Sequence, residues 1–206
     1  MARRPFQLLL IVGVFVLFVS GCSPYLQGTG PGTDFSSGET TTSTGSVAEP
    51  AWGRQTKISG CHANGPLQDQ ACTPGDIVQG ATREEICTPG YARRTRNVSQ
   101  SLKNDVYASY GIVKRKPGAY QIDHLVSLQL GGSNDIANLW PEAASPKPGF
   151  REKDKVENYL RDQMCNGTMT VKEVQTAIAT NWVAVYNSMS PETKDFSSDD
   201  SEGEGG

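Results

Sequence analysis

The sequence predicts a small α+β domain, braced by disulfides and carried between polar, low-complexity ends. Three observations predict it: helical apolar spacing in segments between residues 99 and 190, a strand-like alternation that begins at Tyr120, and an even set of cysteines, Cys61, Cys72, Cys87 and Cys165, in the same stretch. At 206 residues the chain has room for one ordinary domain of roughly 100–200 residues plus appendages.

Residues 1–22 read as an export signal, with Arg3 and Arg4 as its charged start and an apolar run over 8–19. That run is too short to span a membrane, which takes about 20 apolar residues. Its end, Val19-Ser20-Gly21-Cys22, resembles the lipobox of bacterial lipoproteins. The resemblance implies cleavage before Cys22, acylation of its thiol, and a membrane partner reached through that lipid. The protein is then a lipoprotein of the cell envelope, outside the inner membrane; Ser23 in place of Asp implies the outer membrane if the cell is Gram-negative. Residues 23–50 are mainly Gly, Ser, Thr and Pro. They bury too little surface to offset their ordering entropy and read as a disordered tether.

The domain is expected over 51–190. In an exported chain its four cysteines read as disulfides. Of the three pairings that four cysteines allow, Cys61–Cys72 with Cys87–Cys165 is favoured: the first closes a short loop in a Gly/Pro-rich stretch, and the second ties the domain's beginning to its late helix. Zinc on these cysteines is the rival, but no C-x-x-C spacing occurs and the only nearby histidine is His62.

Further along, Leu102, Val106 and Tyr110 recur at four-residue spacing after a capping Ser99, predicting a helix over 99–110 that Gly111 ends. Tyr120, Ile122, Val126, Leu128 and Leu130 share one parity and Gln121, Asp123, Ser127 and Gln129 the other, which predicts a strand broken by Gly131-Gly132. A short return strand follows. Val156, Tyr159, Leu160 and Gln163-Met164 predict a helix over 150–165, closed by Asn166-Gly167. Another begins at Thr170, where Thr170-x-x-Glu173 has capping-box form, with Val174, Ile178, Trp182 and Val185 on one face. Trp140 and Trp182 are expected in the core.

The net charge of −3 misleads about partners. Over 51–190 sixteen Lys and Arg stand against thirteen Asp and Glu, whereas 191–206 holds six acids and one lysine. The tail reads as acidic and disordered. The domain is mildly basic, which permits a nucleic-acid partner without arguing for one.

The informative stretch runs Tyr120-Gln-Ile-Asp-His-Leu-Val-Ser-Leu-Gln-Leu-Gly-Gly-Ser-Asn-Asp-Ile-Ala-Asn-Leu-Trp-Pro-Glu142. With Asp123-His124, Gly131-Gly132 and Asn138-Leu139-Trp140 in this order, it resembles the HNH, or His-Me finger, endonucleases. The resemblance extends over about 85–190, where Cys87-Thr-Pro-Gly-Tyr91 and Lys153-Asp154-x-x-Glu157 look like flanking features of exported members. It implies a ββα-metal core, a two-stranded hairpin followed by a helix, with flanking helices. It also implies a metal-dependent nuclease hydrolysing phosphodiester bonds of DNA, or RNA, outside the cytoplasm.

The chemistry needs a base, a cation against phosphoryl charge, and something to orient the base. His124 suits the first and Asp123 suits the second as a hard oxygen ligand; for the third the resemblance implies Asn138, which in the family holds the histidine ring from the opposite strand through a backbone or side-chain contact. The cofactor is expected to be a divalent ion, Mg, Mn, Ni or Zn. One feature departs from the family pattern: a third ligand, His or Asn, usually sits on the following helix, yet the only histidines here are His62 and His124. Asp154, slightly ahead of Glu157, is the expected substitute, with Asn158 and Glu142 behind both; acids in such a Lys/Glu-rich helix are commonly a solvated face. Arg93, Arg94 and Arg96, and Lys114, Arg115 and Lys116, are candidates to contact nucleic-acid phosphates. The alternatives are a catalytically impaired HNH scaffold that binds nucleic acid or an envelope component, and a lipid-anchored interaction protein in which the motif is structural.

Overall fold

The computed structural model describes residues 49–196; the export signal with Cys22, the tether up to residue 48 and the tail beyond 196 lie outside them. An irregular arm leads into two short helices, α1 (Arg83–Ile86) and α2 (Tyr91–Thr95), and then α3 (Gln100–Ser109). Strand β1 (Tyr120–His124) pairs antiparallel with β2 (Leu139–Ala143), Asp123 opposite Trp140 and His124 opposite Leu139. Helices α4 (Phe150–Cys165), α5 (Val171–Ser188) and α6 (Pro191–Phe196) complete the chain. The architecture is therefore mixed, with helices around one small antiparallel sheet. The acidic stretch expected to be disordered from 191 onward begins with the turn-and-a-half of α6.

Local chemistry explains most element ends. The Ser99 hydroxyl accepts from Leu102 N, and Gly111 takes φ +68° just past α3. Thr170 and Glu173 form the reciprocal capping box that starts α5. Val174, Ile178 and Trp182 of α5 pack against Val156, Leu160 and Met164 of α4, and Trp140 joins them from β2. Both tryptophans are buried, as expected. The two disulfides have the favoured pairing: Cys61–Cys72 closes the arm on itself, and Cys87–Cys165 ties the end of α1 to the end of α4. From loop closure they stabilise by about 3 and about 4–5 kcal/mol.

The strand expected to run to Leu130 stops at His124. Leu125, Val126, Leu128 and Leu130 are all buried, so both parities point inward, and Leu128–Leu130 turn into a 3₁₀ helix. Past His124, Leu125 N donates to the Asn138 carbonyl and both backbone groups of Val126 bond the Asn138 side chain, in place of a continued strand ladder. Alternation in apolar character is common to a half-buried strand and a wholly buried loop, and it does not separate them.

Candidate active site

At the end of β1 the side chain of His124 is almost wholly buried. Its Nε2 lies 3.2 Å from Asn134 Oδ1. The orientation of the Asn134 amide is decided by its other partners: Nδ2 donates to Thr95 O at 2.8 Å, and Oδ1 accepts from Asn97 N at 3.1 Å. Since Oδ1 can only accept, His124 carries its proton on Nε2 and keeps the Nδ1 lone pair. No hydrogen bond takes Nδ1 among the described residues. Burial pulls the His124 pKa down to about 4; Asp123 opposes the shift and Arg96 adds to it. The ring is neutral at pH 7.

Asn138 works through the backbone. Fully buried, it donates from Nδ2 to Val126 O and Ser133 O and accepts at Oδ1 from Val126 N and, at 3.3 Å, Asp76 N, while its own carbonyl accepts from Leu125 N. It staples the segment that follows His124 and leaves the ring to Asn134. The Gly-Gly pair makes room for this staple: a Cβ on Gly132 would come within 1.7 Å of Val126 O and 3.0 Å of Asn138 Nδ2.

Successive residues of a strand leave on opposite faces, so Asp123 projects away from the His124 ring, toward α4. There Lys153, with no exposed surface, donates to Asp123 Oδ2 at 2.6 Å, to His124 O at 2.8 Å and to Glu157 Oε1. Burial disfavours both charges, but the ion pairing prevails: the Asp123 pKa lies below the usual carboxylate range and the Lys153 pKa above that of a free lysine. Glu142 is also buried. Burial and, against the pull of Lys153, the neighbouring Asp123 charge push its pKa well above the normal range. As a carboxylate it would have no partner for either oxygen; protonated, it has an O–H to give to Asp123. Gln129 Nε2 closes the far side, donating to Asn158 Oδ1 at 3.1 Å and to Glu157 Oε2 at 3.5 Å.

Of the expected ligand set, the fold brings Asp123 and Glu157 together, and Glu142 beside them, while Asp154 is half-buried on the adjoining strip of α4. The residue between Asp123 and Glu157 is a lysine. Its ammonium occupies the space in which a divalent ion would bridge the two carboxylates, so this set does not fit a metal ion as it stands. A different group, Cys61, Asp69 and Cys72, sets one ligand atom from each residue within 4.8 Å of the others and could hold a metal. Cys61 and Cys72 are disulfide-bonded, so this would require their reduction to thiolates. His62 is exposed, and its backbone N–H donates to Asp69 Oδ2.

The two basic sets part company. Thr95 and Asn97 are both bonded to Asn134, so Arg96 stands beside the His124 ring, with exposed Arg93 and Arg94 on the preceding turn. Lys114, Arg115 and Lys116 are exposed in the loop before Tyr120, at the opposite end of β1 from His124 and about 13 Å away along the strand. Arg115 stacks 3.7 Å over the Tyr107 ring. Sequence reasoning gave no role to Lys153, named only within Lys153-Asp154-x-x-Glu157, and none to Asn134. A signal existed for the first: Lys153, Val156, Glu157, Leu160 and Met164 form one helical stripe, so the lysine shares its face with apolar residues. Nothing local marks Asn134.

Compared with protein-family models, with curated proteins and with solved structures, the chain matches none.

Proposed function

We propose that the chain is an HNH-type endonuclease, a hydrolase that cuts phosphodiester bonds of DNA or RNA, with His124 as general base. The observation that carries this reading is the His124 ring: neutral, oriented by Asn134, and offering Nδ1 at the end of a hairpin stapled by Asn138. A base must be unprotonated at working pH and held in one direction. In the reaction a water oxygen bonds to phosphorus as the ester P–O bond breaks. The water's proton passes to Nδ1, and the leaving sugar oxygen takes a proton from solvent. Arg96, beside the ring, is the residue to face the phosphoryl charge, and Arg93 and Arg94 extend that basic edge. The sequence implies work outside the cytoplasm on a lipid anchor at Cys22, and the two disulfides suit an oxidising compartment. A Cys22→Ser chain that leaves the membrane fraction supports the anchor; one that stays there removes it.

The test is cleavage of single- and double-stranded DNA and of RNA by the purified chain, in EDTA and with Mg, Mn, Ni or Zn in turn. Wild type is expected to cut at least one substrate, and His124→Ala to cut about 10²–10⁴-fold more slowly with its thermal unfolding intact. A second reading, a binding module on the same scaffold, is favoured by the poor fit of Asp123 and Glu157 to a metal. Tight nucleic-acid binding with no cleavage under any condition would establish it and sink the nuclease.

A further inference from the structure

If the chain is a nuclease, the cation it uses is already in the sequence. We infer that the Lys153 ammonium takes the place of a divalent ion between Asp123 and Glu157, so that hydrolysis at His124 proceeds without bound metal. This rests on the nuclease reading above and concerns how that site is built.

The geometry carries the inference in three steps. An ammonium has three N–H donors, and Lys153 spends them on Asp123 Oδ2, His124 O and Glu157 Oε1. The nitrogen is thus satisfied and enclosed, with no exposed surface. A metal ion bridging the same carboxylates would face a buried positive charge at contact distance, and repulsion of that kind is poorly screened away from water.

The third bond gives Lys153 a task beyond charge balance. By holding the carbonyl of His124 it fixes the strand end from which the imidazole projects, while Asn138 fixes the segment just after it. Lys153 is therefore a positioning residue, acting on the base through the backbone. It does not touch substrate. Charge developing on the phosphoryl oxygens falls to Arg96, whose flanking residues Thr95 and Asn97 are both tied to the asparagine that holds the ring.

Wild-type full chain tests this without any variant. Cleavage rates are compared in excess EDTA and in millimolar Mg or Mn, and thermal unfolding is followed across the same titrations. The inference expects rates within about twofold and an unfolding midpoint that the cations do not move. A loss of tenfold or more in EDTA, restored by a divalent ion that also raises the midpoint, overturns it and leaves the nuclease standing. No cleavage in either medium by folded protein overturns the nuclease reading and this inference with it. Lys153→Ala adds a positive sign: its rate should fall and be partly restored by methylammonium, with the change in kcat rather than KM. A folded Lys153→Ala chain that cuts at the wild-type rate refutes the positioning role.

Discussion

Asp123 and His124 are consecutive residues, yet β1 sends them into opposite environments. Asp123 enters a closed set of charges, where an ammonium, a second carboxylate and a protonated acid satisfy one another. His124 enters a setting of amides with Arg96 beside it, where Asn134 orients the ring and burial keeps it unprotonated. The first environment supplies rigidity through charge pairing, and the second holds a neutral imidazole whose Nδ1 lone pair can take a proton. A sequence motif that writes the two residues as a pair suggests a shared site; the two-residue period of a strand divides them, and the His124 carbonyl, held by Lys153, links one face to the other.

The largest expected effect breaks the charged face. Lys153→Met leaves Asp123 and Glu157 buried without their counter-ion and should cost about 3–5 kcal/mol. Urea unfolding measures it, and the double variant with Glu157→Gln should cost less than the single one. Wild-type stability for Lys153→Met would mean that the ammonium does not hold the cluster.

Next comes the staple behind His124. Gly132→Ala drives a methyl into Val126 O, a backbone atom that cannot swing away. The loss should reach or exceed about 3 kcal/mol, the upper end of ordinary overpacking. A Gly132→Ala protein that melts with wild type would show that the segment after the strand can shift without harm to the base.

The His124 face has a pH signature. His124 has a folded pKa of about 4, below its unfolded value of about 6.5. As pH falls, the unfolded chain takes up the proton first, so stability from this group is intact above about pH 6.5 and is lost on the way down to about 4, on the order of 3 kcal/mol in all. For the proposed nuclease the same shift puts the acid limb of kcat/KM near pH 4. Unfolding and rate profiles of wild type against His124→Ala isolate it; an acid limb near 6.5 would mean that the ring is solvated in the working enzyme.

The smallest effect sharpens the contrast from the charged side. Glu142 has a folded pKa raised above its unfolded value, so its contribution is complete at acid pH and declines once the unfolded carboxyl ionises, above about pH 4.3. Glu142→Gln copies the protonated acid in shape and cannot ionise. It should lie within about 1.5 kcal/mol of wild type and remove that decline, making the variant the more stable protein at neutral pH. A marked loss on Glu142→Gln would show that the charge of this carboxylate, absent from its protonated form, is what the cluster needs.

Much of the architecture was legible residue by residue. Ser99 and Thr170 announce their helices because a cap is made within three residues. The Cys87–Cys165 bridge followed from placing one cysteine at the start of the domain and the other at the end of a predicted helix. Gly131-Gly132 was legible as a break but not in its purpose, since the atom that forbids a side chain at Gly132 is contributed by Val126, back along the chain. The extent of β1 was misread because the parity pattern resumes beyond Leu125, an apolar residue on the polar parity, where the strand has already ended. Lys153 is named along the sequence only within Lys153-Asp154-x-x-Glu157, with no role of its own, although it lies on the apolar stripe of α4.

What the sequence determined by itself is whatever short-range chemistry controls: caps, turn glycines, helical stripes and the identity of the one histidine in the motif. What only the tertiary structure decided is how the charges are matched. Lys153 and Asp123 are 30 residues apart, and Asn134 meets Thr95 across 39. A buried ionisable group is stable only if its partners arrive at hydrogen-bonding distance, and those partners come from separate elements whose approach is set by packing α4 and α2 against the hairpin. For that reason Asp123 reads as a metal ligand along the chain and is found, once the chain is folded, bound to a lysine.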